Sequence, residues 1–425
     1  MKPNRIRLIL FTLGCLLAAA RLTGCTTFKP GQPKTLKAAY KDHFYVGVAI
    51  NRTVATGSSA LAGNFNRNME LVQKDTAVVL EQFNQIVPEN DLKWQLIHPE
   101  PGPDGYNFGP ADAFVNFGLS HDLYLVGHTL VWHAQTPNWV FQGTNLPPGL
   151  TNASSLSLPP PDAPGTNGFG RRRFGGFNLN GPRASREELL QRMHDHIATV
   201  VGRYQGKIKV WDVVNEALSD GGTNILRNSP WEQIIGPDFI AKAFEYAHEA
   251  DPNAILRYND YSLEDPAKRH KLIALIKSLQ EQHVPVMAIG SQTHVSVTSP
   301  SFEEEDKALT ELETLGLPIH ITELDVNAAR GGQRDTSGDV AANAATTQGG
   351  LVSDSDQKLA DAYAGLFRAF LKHQNSVNVV TLWGVNDGVS WRAQGHPLLF
   401  DGNDQPKPAL DAVIRAAAGV PPAAK

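Results

Sequence analysis

Apolar, β-rich runs that end in a polar residue, separated by longer helical patterns, recur along this chain from residue 38 to about 419. The eight runs are Tyr45 to Ile50, Gln85 to Val87, Leu123 to Val131, Ile208 to Val214, Ala254 to Tyr258, Val286 to Ser291, Ile319 to Leu324 and Val377 to Trp383. A strand this apolar on both faces must be covered on both faces, which is the environment of a parallel sheet wrapped by helices. The intervening helical stretches include Arg186 to Tyr204, Pro237 to Ala250, Pro266 to Gln282, Glu303 to Leu315, Ser355 to His373 and a last one from Ala409 to Ala418. Ser185 and Ser301 stand where N-caps are expected.

Eight such units predict an α/β chain closed into a (β/α)8 TIM barrel, because the polar residues gather at the C-terminal strand ends, where a barrel keeps its loops. A doubly wound open sheet would give similar strands. Against it, Asn51-Arg52-Thr53-Val54 follows the first strand instead of a glycine-rich phosphate turn. Two stretches break the rhythm: Gly143 to Ala184, rich in Pro, Gly, Asn and Ser, and Ala328 to Gly350, rich in Gly, Ala, Thr and Asp. Both are expected to be long βα-loop insertions in one domain spanning 38–419, with a tail at 420–425.

Lys2, Arg5 and Arg7 precede an apolar stretch from Leu8 to Ala20, too short to span a membrane and suited to a signal peptide, so residues 1–25 are set apart from the fold. Leu22-Thr23-Gly24-Cys25 resembles a bacterial lipobox, which would make Cys25 a lipidation site; ordinary cleavage after Ala20 is the competing reading. Residues 26–37, polar and containing Pro30 and Pro33, would then be a tether to a membrane reached only through lipid. Cys15 and Cys25 are the 2 cysteines of the 425 residues, so the expected domain has neither disulfide nor thiol ligand. A net charge of −5, with Arg171-Arg172-Arg173 as the one short basic run, argues against nucleic acid as a partner.

Chemistry concentrates at two strand ends. Trp211-Asp212-Val213-Val214-Asn215-Glu216 and Ile319-His320-Ile321-Thr322-Glu323-Leu324-Asp325 each place a carboxylate where burial is costly unless the group is paired or used. A lone strand-end glutamate can simply pair with a loop arginine. Two that meet across a barrel mouth form the pair glycoside hydrolysis requires, about 5–5.5 Å apart for retention and about 6.5–9.5 Å for inversion. An ionised neighbour at the shorter range should raise the pKa of Glu216, keeping it a proton donor near neutrality. Among 14 histidines, His128 and His133 sit on a strand turning into a loop, and His194 and His196 point to different sides of a helix. With no His-Glu-x-x-His either, neither a metal nor another cofactor is expected.

Further motifs are Val87-Pro88-Glu89-Asn90-Asp91-Leu92-Lys93-Trp94, Gly127-His128-Thr129-Leu130-Val131-Trp132-His133, Tyr258-Asn259-Asp260-Tyr261, Gly290-Ser291-Gln292-Thr293-His294 and Trp383-Gly384-Val385-Asn386-Asp387-Gly388-Val389-Ser390-Trp391-Arg392. Taken in order, these segments resemble glycoside hydrolase family ten, the xylanases of the large β-glycanase clan. The resemblance implies Glu216 as acid/base and Glu323 as nucleophile in retaining endo-hydrolysis of β-1,4-xylosidic linkages. It further implies that Asn215 bonds the sugar 2-hydroxyl, that His294 and Asp325 orient the nucleophile, and that Asp212 stands behind the reacting groups. Glu89, Asn90, Lys93, His128, Trp132 and Gln292 would form the sugar-binding set, with Trp383 and Trp391 offering flat faces to the rings. Xylan and xylo-oligosaccharides are the implied partners of an exported, monomeric enzyme. Ser262, Thr293 and the two insertions depart from the family pattern without touching an assigned catalytic role, and the insertions put branch tolerance in doubt. A β-1,4-glucanase of the same clan, or a sugar-binding barrel without catalysis, are the rival readings; loss of a glutamate would mark the latter, and both are present.

Overall fold

In the computed structural model, eight parallel strands form the barrel wall: β1 (Tyr45–Ile50), β2 (Gln85–Pro88), β3 (Tyr124–Gly127), β4 (Val210–Asn215), β5 (Ile255–Asp260), β6 (Ala288–Ser291), β7 (Ile319–Asn327) and β8 (Val377–Leu382). Each pairs with the next, and β8 pairs back onto β1 with Tyr45 opposite Val379 and Val48 opposite Leu382, so the sheet closes. The structure describes residues 33–60, 67–143, 182–329, 351 and 353–423. Cys25 and the signal segment therefore lie outside the described residues. So do Arg171-Arg172-Arg173 and nearly all of both insertions.

Each strand is followed by a helix: Met69–Gln82, Gly109–Ser120, Arg186–Arg203, Phe239–Ala250, Pro266–Glu281, Phe302–Glu313, Ser355–Lys372 and Pro408–Ala416. Ser185 and Ser301 both form full capping boxes, with Glu188 and Glu304 returning the bond. Asn51 caps a short helix, Arg52–Thr56, directly after β1. Leu36, at the end of the expected tether, is buried and opens the helix Leu36–Ala39.

One expected strand is divided. Leu123 to Val131 is continuous in pattern, yet the chain leaves the sheet at His128, where the His128–Thr129 peptide is cis, and rejoins β4 at Val131–Trp132. The bulge is held by the Asp212 carbonyl, which accepts from both Leu130 N–H and Thr129 Oγ1. The detour turns His128 and Trp132 towards the mouth end of β4. A similar short extension, His294–Ser296, pairs with β7 and sets His294 opposite Asp325.

The barrel interior is polar at mid-height. Arg257 grips Asp212 with Nε at 2.7 Å and Nη2 at 3.0 Å, while its Nη1 meets His320 Nδ1 at 3.0 Å. Thr381 donates to Gln85 at 2.6 Å, and Gly47 leaves the space that this amide fills. Ala49, Val87, Val126, Val210 and Trp383 form an apolar cluster among the strands.

Candidate active site

Glu216 directly follows β4 and Glu323 lies within β7, and both are buried. The Glu216 carboxylate accepts from Trp132 Nε1 at 2.9 Å and from Gln292 Nε2 at 3.0 Å. Glu323 accepts from Asn259 Nδ2 at 2.8 Å and faces His294 Nε2 at 3.2 Å. Asn215 joins the two halves: its Oδ1 receives Asn259 Nδ2 at 2.9 Å and Gln292 Nε2 at 3.3 Å. The two carboxyls are thus bridged by side-chain amides rather than neutralised by an arginine.

Asn259, to which the family resemblance assigns no role, contacts both Asn215 and Glu323. Thr322 Oγ1 fixes its other end by donating to Asn259 Oδ1 at 2.7 Å. The position is open only because residue 290 is glycine: a Cβ there would stand 2.3 Å from Asn259 Oδ1. The signal available beforehand was the polar Asn259-Asp260 pair closing an apolar strand. Arg392 is the second such residue, donating to Asp325 at 2.9 Å.

Behind Glu323 runs a chain of charges. Asp325 accepts from His294 Nδ1 at 3.0 Å and Trp391 Nε1 at 2.7 Å. Burial works to lower the His294 pKa, but the Asp325 and Glu323 carboxylates outweigh it and lift the imidazole to about 9. Burial likewise works to raise Glu323; the His294 hydrogen bond and the nearby His128 overcome it and hold the carboxyl below its ordinary value. Among the described residues no cation hydrogen-bonds the Glu216 carboxyl, although Lys93 and Arg227 stand near it. Burial first, with the charges of Asp260 and Glu323 added, pushes it up to about 7 against the bonds from Gln292 and Trp132. The upward direction matches the sequence expectation, but its main cause is burial rather than the neighbouring glutamate.

The remaining expected residues fall around this pair. His128 Nδ1 bonds Asp212 at 3.0 Å, and Asp212 itself is held to about 2, burial being outweighed by Arg257 and His128. Lys93 donates to Asn90 at 2.9 Å and lies 5.2 Å from the Trp132 ring; burial lowers its pKa. Glu89 is raised to about 7 by burial, with Asp91 adding to it and Lys93 opposing. Trp383 is buried edge-on to His128, while Trp391 is half-buried against His294. Among the described residues no group of three or more His, Cys, Asp and Glu side chains is placed to hold a metal ion.

A closed parallel barrel that brings two buried glutamates to its C-terminal strand ends, one with its pKa raised and the other with it lowered, has the site of a glycoside hydrolase. The profile of glycosyl hydrolase family 10 matches residues 35–156 and 174–416, and the chain belongs to that family. The unmatched interval falls inside the first insertion. A β-1,4-xylanase of Dictyoglomus thermophilum is 33% identical over 415 residues, covering 96% of either chain. An endo-1,4-β-xylanase of Geobacillus stearothermophilus is 34% identical over 387 residues, covering 89% of this chain and 98% of that one. Among solved structures, xylanase XynB of Paenibacillus barcinonensis, complexed with a conduramine derivative, superposes with a TM-score of 0.70 at 31% identity, covering 90% of this chain and 99% of the other.

Proposed function

We infer that this chain cleaves internal β-1,4-xylosidic bonds of xylan with retention of configuration. The observation that carries the reading is a pair of buried glutamates, Glu216 after β4 and Glu323 in β7, joined across the barrel mouth through Gln292, Asn215 and Asn259, with the Glu216 pKa raised to about 7 and that of Glu323 lowered. Glu323 attacks the anomeric carbon while Glu216 gives its proton to the departing glycosidic oxygen, leaving a covalent ester. Esterification removes the Glu323 charge that helps hold the Glu216 pKa up. Glu216 then accepts a proton from the water that attacks the same carbon and releases Glu323. Asn215 is placed beside both carboxyls, where a bond to the sugar 2-hydroxyl would strengthen as positive charge develops on the ring. Glu89, Asn90, Lys93, His128 and Gln292 supply polar contacts to neighbouring sugars, with Trp132, Trp383 and Trp391 as ring platforms.

Reducing ends released from xylan, carboxymethyl-cellulose and mannan test the substrate. Release from xylan in excess of the other two is expected; preference for carboxymethyl-cellulose would move the chain to β-1,4-glucan, and no release from any would leave a sugar-binding barrel.

We further propose that the protein is exported and held on a bacterial membrane by lipid on Cys25. The support is the Leu22 to Cys25 motif behind an apolar signal core.

A further inference from the structure

Glu216 is a non-glycine residue with φ of +56°, a left-handed conformation that crowds its Cβ and persists only when its peptides are held. Its own N–H donates to the Asn259 carbonyl at 2.9 Å. The next two amides lead to Asp260. Ala217 N–H donates to the Tyr258 hydroxyl at 3.0 Å, that hydroxyl donates to Asp260 Oδ2 at 2.7 Å, and Leu218 N–H donates to the same oxygen at 3.2 Å. Asp260 Oδ1 accepts from Tyr261 N–H at 2.9 Å and faces Lys268 Nζ at 3.1 Å. Both charged side chains are buried.

A buried carboxylate close to a second carboxyl is an expensive way to satisfy two amides. Its charge has a consequence that a neutral acceptor would lack: burial first, and then Asp260 ahead of Glu323, hold the Glu216 carboxyl up. Other charged or titratable groups also surround this carboxyl. Glu323 comes from β7 and Lys93 from the loop after β2, while His133 lines the same small cavity. Arg227 and Asp220 come from the loop after β4. Arg227 Nε donates to the Glu216 carbonyl at 3.1 Å, and Asp220 shares Lys268 at 2.7 Å. Tyr258 and Tyr261 are kept neutral, chiefly by burial. Asp260 is the carboxylate among them whose hydrogen bonds run into the peptides that follow Glu216.

Building on the assignment of Glu216 as acid/base, we propose that Asp260 and its counter-ion Lys268 form a positioning pair that fixes the Glu216 turn and governs the pH range over which Glu216 keeps its proton. Asp260 opposes ionisation of Glu216, and Lys268 limits how far.

The two partners should therefore act with opposite sign. In protein carrying ¹³C-carboxyl glutamate, the signal lost in Glu216→Gln identifies Glu216, and its titration midpoint is followed in Asp260→Asn and Lys268→Met. The first should lower the midpoint by about one pH unit and the second should raise it by a similar amount. Midpoints that fail to move in opposite directions overturn the proposal. If Asp260→Asn does not fold, Lys268→Met alone must still raise the midpoint, and an unchanged or lowered value overturns it. The alkaline limb of kcat/KM on xylo-oligosaccharide should follow the midpoint. A limb that stays while the midpoint moves faults the acid/base assignment and leaves the positioning pair standing.

Discussion

The His294 imidazole lies 3.2 Å from Glu323 Oε2 and keeps its proton up to about pH 9, so the carboxyl that must stay ionised has a buried cation against it. Removing that cation in His294→Asn leaves burial as the main influence on Glu323, and its pKa should rise. The acid limb of kcat/KM, where Glu323 gains a proton, should move up by about one pH unit, while the alkaline limb stays near pH 7, where Glu216 loses its own. Profiles on an aryl xylobioside decide it, and an unmoved acid limb would refute the role given to His294.

Hydrolysis should retain the anomeric configuration, as membership of glycosyl hydrolase family 10 implies, with Glu216 and Glu323 closing on the bond without room for a water behind the sugar. Proton NMR of the first products from a xylo-oligosaccharide should show the β-anomer before mutarotation. An initial α-anomer would sink the double displacement.

The two glutamates should fail differently. With an activated aryl leaving group, Glu216→Ala still forms the ester and then stalls, and azide should rescue it to a β-glycosyl azide. Glu323→Ala has no nucleophile, and azide in its place should give the α product. Exchanged products would reverse the assignments.

Asp212 should matter to stability as well as to the site. Asp212→Ala leaves Arg257 buried without its carboxylate, which should cost about 3–5 kcal/mol in urea unfolding. Because the folded pKa of Asp212 is depressed to about 2, its contribution is present above the unfolded carboxylate range and is lost as pH falls from about 4 towards 2. A variant as stable as the parent at neutral pH would show that Arg257 finds another partner.

Lipidation is testable by partition. Expressed in a host that processes lipoproteins, the parent chain should enter the detergent phase and Cys25→Ala should not. A soluble parent protein beginning at Arg21 would establish ordinary signal cleavage.

The barrel and the two glutamates were legible in the amino-acid sequence for one reason: a polar residue at the end of a doubly buried strand is an exception, and exceptions at Asn215, Glu216, Glu323 and Asp325 stand out against apolar runs. Ser185 and Ser301 were legible because capping is local. The break at His128 was not, since it depends on the Asp212 carbonyl, a partner supplied by another strand. Asn259 appeared as one polar residue among several until the fold placed it between Asn215 and Glu323 over a glycine at 290. Which glutamate keeps its proton was likewise decided in three dimensions. Burial acts on both carboxyls; what separates them is that β6, β7 and the loop after β8 set His294, Asp325 and Arg392 behind Glu323, with His128 also lowering it, while Asp260 helps to hold Glu216 up.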